Sequence, residues 1–321
     1  MIQTRKMNVK KSIPFVIVHL VAIIGAFMVP FAWKWVALAI GLYYLRMFGV
    51  TAGFHRYFSH RTFKTSRIFQ FILAFLAQSS AQKGALWWAA NHRHHHKFSD
   101  QPEDIHSPIQ SGFIWSHVGW ILTTENDPTR WELIKDFGKY PELVWLNKYH
   151  HVPTVVFAVA TYLLGGMPGL IWGFFVSTVL LWHGTFTINS LSHVYGTQRY
   201  ETGDTSRNNF WLALLTMGEG WHNNHHTYMS STNQGFYWWE VDFSYYLLKT
   251  FSKIGLVWDL RLPPLAHLEA KRIAKNTPTL RPIFGGASPL VPTNNPASIY
   301  TQEAKKPEED AQTTNSLESL A

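Results

Sequence analysis

Four stretches of this chain are too apolar to be stable in water as exposed helices, and they limit the folds open to it more than any other feature. Ile13 to Ala32 runs for 20 residues with one polar side chain, His19. That length matches the ~20 residues that cross the ~30 Å hydrocarbon layer as a helix. Trp35 to Phe54 is a second block, interrupted by Arg46 and Thr51 near its far end, where Arg46 is expected to snorkel to the interface. Pro153 to Gly165 and Leu170 to Leu191 form a third and a fourth, divided by Gly165-Gly166-Met167-Pro168-Gly169. A mean hydropathy of −0.08 averages these blocks away. The expected fold is an all-α integral membrane protein with four transmembrane helices in two hairpins. Ile68 to Gln82 is too short in apolar residues to cross and reads as a membrane-surface or re-entrant helix.

Charge orients the spans. Arg5, Lys6, Lys10 and Lys11 precede the first block with no acidic residue among them, which places the N-terminus in the cytoplasm. Asp100 is the first acidic residue, after thirteen Lys and Arg. The surface this implies suits anionic headgroups, a phosphorylated acyl carrier or an acidic redox partner, and no nucleic acid. Cysteine is absent, so thiolates cannot hold a metal. The first block is too long for the core of a cleavable signal. From Thr277 onward Pro, Asn, Thr, Ser and Glu dominate, and residues 277–321 are expected to be a mostly disordered tail.

The chain contains 17 histidines, nine of them in patterned groups: His55 and His60 in "HRYFSH", His92, His95 and His96 in "HRHHH", His193 in "NSLSH", and His222, His225 and His226 in "HNNHH". With about 100° per helical residue, His96 lies near +40° and His95 near −60° from His92, while His94 falls near 200°. H-x-x-H-H therefore puts three imidazoles on one face, and the pattern occurs twice. An even number of crossings between the groups brings all nine to the cytoplasmic side. In the last span Thr185, Asn189 and His193 form a polar stripe at i, i+4 and i+8, which is costly in a membrane unless it faces protein, water or a ligand. The remaining histidines read as structural: His19 hydrogen-bonded within the first span, His150 and His151 interfacial, His183 in the fourth span, His94 turned away, and His106, His117 and His267 at the surface or behind the ligands.

Imidazole suits zinc, copper, iron and nickel. One zinc ion takes three or four protein ligands, so nine histidines divide most naturally between two ions, four or five to each. Spacing does not say which go where. Iron fits best, because an apolar, aromatic membrane pocket suits oxidation of a hydrocarbon with water kept out.

The segments "GVTAGFHRYFSHRTFK", "HRHHHKFSD", "GFIWSHVGWIL", "NSLSHVYG", "GDTSRNN", "GEGWHNNHH" and "GLVWDLRLPP" resemble, in order, spacing and flanks, the membrane fatty acyl desaturases of the stearoyl-CoA Δ9 type. The resemblance covers about Leu42 to Pro264. It implies four transmembrane helices under a helical cytoplasmic cap that holds a di-iron centre. The ligands would be the nine histidines and, through water, Asn189. It implies that O2 and two electrons, from a cytochrome b-type protein or a ferredoxin with its reductase, remove two hydrogens from C9 and C10 of a palmitoyl or stearoyl chain. Gln82, Trp88 and Thr185 match residues at the bend of the family's acyl tunnel, and Tyr43 and Met47 match its floor. Met47 occupies a position that is small in the stearoyl enzymes, so a shorter tunnel and a C16 preference are expected. Ala90 and Asn91 replace an Arg-Asp pair that helps animal enzymes hold coenzyme A, which leaves CoA, acyl carrier protein and glycerolipid all open as carriers. Without that pair or a fused haem domain, the resemblance points to a bacterial inner membrane with both termini cytoplasmic. The chain then divides into a basic N-terminus (1–12), a desaturase membrane and catalytic domain (13–276) and the tail.

Alternatives are a membrane di-iron hydroxylase and a non-enzymatic metal-binding membrane protein. The hydroxylases differ in motif spacing and flanks, and a transporter would spread its ligands along the spans. Metal-dependent hydrolysis lacks a base: no H-E-x-x-H occurs and no carboxylate beside a triplet supplies one. Glu219 is expected to cap or orient the helix of the last triplet.

Overall fold

The computed structural model describes residues 7–273. The tail and the first six residues, with Arg5 and Lys6, lie outside that range. The described chain is mostly helical, with a two-residue antiparallel ribbon pairing Lys64–Thr65 with Val257–Trp258.

Helix α1 spans Val9–Met28 and is shifted toward the N-terminus from the expected block. Asn8 caps it by accepting a hydrogen bond from the Lys11 N–H at 3.1 Å. It stops at Val29, whose backbone is extended, as the residue before a proline prefers. Helix α2, Trp33–Phe48, continues without a break into an 11-residue π-helix, Gly49–Ser59. Together they give 27 residues apolar enough to cross a membrane. A third long apolar segment, His151–His193, has 43 residues. As one straight α-helix at 1.5 Å per residue it would measure about 64 Å, roughly twice the hydrocarbon thickness. Gly166, at φ 58° and ψ −152°, breaks it where the glycine-rich stretch was expected to. The chain then runs through a π-helical stretch, Gly169–Val176, and the helix Ser177–Ser190. Both α1 and α2 pack on Gly169–Val176.

Small residues set these approaches. A Cβ at Gly49 would meet the backbone nitrogen of Ala77 at 2.8 Å, and one at Gly53 the Leu73 carbonyl oxygen at 3.0 Å. The π-helix thus lies directly against helix α3, Arg67–Gln78. Helix α3 is amphipathic: Leu73, Ala74 and Ala77 are buried, while Ile68 and Ile72 are exposed. It ends earlier than Gln82 because Ala81 and Lys83 adopt positive φ, turning the chain into helix α4, Ala85–Phe98.

Arg46 departs from its expected place. It does not snorkel: the side chain is fully buried, donating to Ser79 O at 3.2 Å, Thr178 Oγ1 at 2.8 Å and Ser177 Oγ at 2.5 Å. The guanidinium also lies 4.5 Å from the Phe157 ring centroid. Five fixed donors let it tie α2, the end of α3 and the last apolar segment together, so the Ser79 carbonyl and the Ser177 and Thr178 hydroxyls take the place of interfacial water.

Candidate metal centre

The nine patterned histidines come from five places. His55 lies within the π-helix and His60 caps its end. His92, His95 and His96 lie on α4, His193 ends a 3-10 turn after Ser190, and His222, His225 and His226 lie on the short helix His222–Thr227. They converge in two groups, each with its ligand atoms within 4.8 Å of one another: His55, His60, His92, His96 and His225, and His95, His193, His222 and His226. Each H-x-x-H-H motif is divided between the groups. The spacing put three imidazoles on one face, but neighbours from other elements decide that His95 turns to one group and His92 and His96 to the other. His94 points away, as expected, with Nε2 at 3.0 Å from Glu103 O.

Four carboxylates sit behind the imidazoles. Glu219 approaches His55 Nδ1 at 2.5 Å, Asp104 approaches His95 Nδ1 at 3.0 Å, Asp100 approaches His193 Nδ1 at 3.1 Å, and Asp204 approaches His226 Nδ1 at 2.6 Å. Each Nδ1–H donates to its acid, which fixes the tautomer and leaves Nε2 as a bare lone pair turned inward. The acids are held in turn: Thr205 donates N–H and Oγ1–H to Asp100, and Ser206 N–H and Thr202 Oγ1–H go to Asp204. Burial pushes Asp100, Asp104 and Asp204 upward, but their histidine partners and hydrogen bonds overcome it and hold all three below the usual carboxylate range. Burial first, then neighbouring imidazoles, holds His60, His92, His96, His222 and His225 well below 6.5, in the neutral form that ligates.

This donor set fits bound cations. His55 Nε2 and His225 Nε2 are 3.0 Å apart, and His193 Nε2 and His222 Nε2 3.1 Å. Nε2 of His226 is buried without a hydrogen-bond partner. Lone pairs brought together at such separations repel unless a positive charge lies among them. The charges agree. Arg56 bonds Asp242 at 2.9 Å and Arg199 pairs with Glu240, leaving the four carboxylates, whose four negative charges equal the charge of two divalent cations.

The sequence alone assigns Asp100, Asp104 and Asp204 no role at the histidines, and the structure places each on an imidazole Nδ1. Asp100 and Asp104 follow α4, and Asp204 lies in "GDTSRNN", so they are near in space and not in helical register. Glu219 does not cap the His222 helix, which has no side-chain cap. It reaches His55 and Arg56 instead. Gln234 was also missed: its side-chain amide lies 3.4 Å from His55 Nδ1 and 3.5 Å from His225 Nδ1.

Two cavities meet at the clusters. The larger, about 440 Å³, begins near Lys11, Lys83 and His150 and reaches His92 and Asn189 past Gln82, Trp88 and Thr185. Its volume lies in the range of ligand sites. Gln82 Nε2 donates to Thr185 Oγ1 at 3.1 Å, and Trp88 stacks on His92 with centroids 5.0 Å apart. The smaller cavity shares Trp88, His92, Thr185 and Asn189 with the first and adds Met47, His55 and His222. Tyr43 borders neither. Its Oη donates to Leu215 O at 2.7 Å, and with Met47 it packs where a Cβ on Gly184 would go. Asn91, in place of the animal aspartate, borders the larger cavity and donates to Trp87 O at 3.0 Å.

Residues 30–259 match the family model for fatty acid desaturase. The chain belongs to the fatty acid desaturase family. It is 38% identical over 258 residues to an sn-1 stearoyl-lipid 9-desaturase of Synechocystis sp., covering 78% of this chain and 79% of that one. It is 37% identical over 253 residues to a chloroplastic palmitoyl-monogalactosyldiacylglycerol delta-7 desaturase of Arabidopsis thaliana, covering 78% and 67%. To an acyl-CoA 5-desaturase of Anemone leveillei it is 36% identical over 244 residues, covering 74% and 76%. The desaturase is thus a membrane oxidoreductase acting on fatty acyl chains, in a family where the position of the double bond varies. Its histidine clusters can bind metal, in keeping with the family's di-iron site.

Proposed function

We propose that this desaturase introduces a cis double bond between C9 and C10 of a saturated C16 or C18 acyl chain, using O2 and two electrons from an external cytochrome b-type or ferredoxin donor. Two iron ions would be held, one by His55, His60, His92, His96 and His225 and the other by His95, His193, His222 and His226, with Asn189 contributing through water. Bound there, the irons supply oxygen activation. The chain crosses the membrane four times in two hairpins, with both termini and the histidine-bearing cap in the cytoplasm of a bacterium.

The observation that carries this reading is the cavity that leads from Lys11 and Lys83 to His92 and Asn189. An acyl chain lying in it has its carboxyl end near the lysines and its middle methylenes beside the histidine clusters. The hydrogen bond between Gln82 and Thr185 and the ring of Trp88 bend and fix the chain there, which is catalysis by positioning. Phe15, Trp182 and Phe186 wall the cavity and keep water from the reacting carbons. The methyl end points toward Met47, whose bulk favours C16 over C18. Regiochemistry rests on the resemblance to Δ9 enzymes and the Synechocystis relative, whose name gives position 9.

The test is mass spectrometry of fatty acids from a host expressing the chain with an electron donor, beside a His92→Ala control. A cis-9 monoene present only with the intact chain is expected. A hydroxy acid would overturn the reaction, and a double bond at C5 or C7 the regiochemistry.

A further inference from the structure

The larger cavity is charged at one place. Among the described residues that border it, Lys11 and Lys83 are the only lysines, arginines or carboxylates. Both ammoniums donate to the same oxygen, Oδ1 of Asp127, Lys83 at 2.5 Å. Lys11 also donates to the Thr123 carbonyl oxygen. The backbone turns Lys83 to this place: Ala81 and Lys83 hold φ at 59° and 65°, where a side chain is disfavoured, and the Lys83 ammonium lies 4.2 Å from the Trp87 ring centroid. The two lysine side chains remain 25% and 24% exposed, so a ligand in the cavity mouth can reach them.

Asp127 does not balance the pair. Two ammoniums against one carboxylate leave one positive charge. Burial, with His151 and Lys83 adding to it, lowers the His150 pKa, so the imidazole at the mouth adds no charge at neutral pH. Burial also lowers the Lys83 pKa, and Asp127 only partly offsets it. One further anion beside the ammoniums therefore neutralises a partly buried charge. Depth decides what brings that anion. Lys11, Pro14, Phe15 and Val18, at i, i+3, i+4 and i+7, form one stripe of α1 on the cavity wall. The opposite face is exposed at Ile13, Val16, Ile17 and Leu20, on a helix long and apolar enough to cross a membrane. Lys11 lies in the first turn of α1, which puts it among the headgroups, and Val18 is about 10 Å further along the helix. The cavity thus starts at headgroup level and descends beside a spanning helix, so a lipid of the bilayer can feed one chain into it while its headgroup stays in place.

We infer that Lys11 and Lys83 form a phosphodiester site, and that the acyl chain reaches the cavity esterified in a glycerophospholipid of the same bilayer. The inference rests on the desaturase reading and names its acyl carrier. One phosphodiester carries the single negative charge that the mouth lacks. Coenzyme A carries several phosphate charges, and the cavity wall offers them no cation beyond the same two lysines. The phosphate takes the place of Asp127 Oδ1 as the acceptor shared by both ammoniums, with charge-assisted hydrogen bonds, and Asp127 competes with it. The lysines do not touch the reacting carbons. They fix the ester end of the chain, and that sets which methylenes lie beside His92 and Asn189.

The experiment reads binding and turnover separately. The full chain in mild detergent, without metal, is offered equimolar dipalmitoylphosphatidylglycerol and uncharged dipalmitoyl galactosylglycerol, and the lipid retained is read by native mass spectrometry. The phosphatidyl form is expected to be retained about tenfold or more over the uncharged one. Lys11→Gln combined with Lys83→Gln is expected to abolish the preference, and Asp127→Asn to strengthen it, a gain that a merely structural carboxylate does not produce. With the iron-loaded chain and reduced donor, Lys83→Gln is expected to raise KM for phosphatidylglycerol-linked palmitoyl about tenfold at unchanged kcat. Equal retention of the two lipids by wild type, or a preference untouched by the lysine variants, would overturn the phosphodiester site. Palmitoyl-CoA, which brings phosphate from the water side, displacing phosphatidylglycerol and being desaturated in preference to it would overturn the lipid as carrier. A chain that retains phosphatidylglycerol selectively yet makes no monoene from either carrier fails the desaturase reading, whereas one that desaturates palmitoyl-CoA with no headgroup preference fails the phosphodiester site alone.

Discussion

Glu219 Oε2 lies 2.5 Å from Nδ1 of His55, while its other oxygen lies 3.0 Å from Nη2 of Arg56. One buried carboxylate thus sets the tautomer of a histidine in the π-helix and is itself fixed by an arginine whose second partner is Asp242. Substituting Glu219→Gln keeps the shape and removes the charge. Iron affinity is expected to fall about 10- to 100-fold, read as iron per chain against free iron concentration, with the helical circular dichroism unchanged. Full iron loading of the variant would show that Glu219 does not tune the site.

Met47 sets the far end of the proposed acyl slot. Met47→Ala should shift the C18-to-C16 product ratio upward by about 10-fold or more, since each buried methylene is worth roughly 1–3 kcal/mol of discrimination. The assay is a competition between equimolar C16 and C18 substrates, and an unaltered ratio sinks the floor assignment.

Gly49 holds α3 against the π-helix that carries His55. Gly49→Ala places a Cβ within 2.8 Å of the Ala77 backbone nitrogen, which cannot move without shifting α3. A loss of about 1–3 kcal/mol in stability is expected, together with lower iron retention. A thermal midpoint and iron content equal to wild type would refute the close approach.

Asp127 bonds both Lys11 and Lys83 near the cavity mouth. Burial is the largest single influence and raises its pKa, but the hydrogen bonds and charges of Lys11 and Lys83 together outweigh it and hold the carboxyl below its usual value. A depressed folded pKa means that its stabilising contribution is complete above about pH 4 and is lost as pH falls further. The difference in thermal midpoint between wild type and Asp127→Asn is therefore expected to be constant from pH 7 to pH 5 and to shrink below about pH 4. A difference that grows on acidification contradicts the assignment.

The apolar blocks and the two H-x-x-H-H motifs were legible because they are local: a run of twenty apolar residues and a 3.6-residue period need no knowledge of the rest of the chain. The break at Gly166 was legible for the same reason. Arg46 was misplaced because its partners, Ser79, Thr178 and Ser177, are far off in sequence, and an arginine near a block's end looks interfacial until they are seen. His19, His117 and His183 read along the sequence as separate structural residues, yet they bond to one another across 66 and 164 residues.

By itself the sequence determined that this is a membrane protein with nine patterned histidines, since solvation and helical period act on neighbours along the chain. Only the tertiary structure decided that the histidines divide five and four, and which carboxylate stands behind His55, His95, His193 and His226. Those relations depend on close approach between segments distant in sequence, and both hydrogen bonding and Coulomb attraction in a buried site act over a few ångströms of space, whatever the separation along the chain.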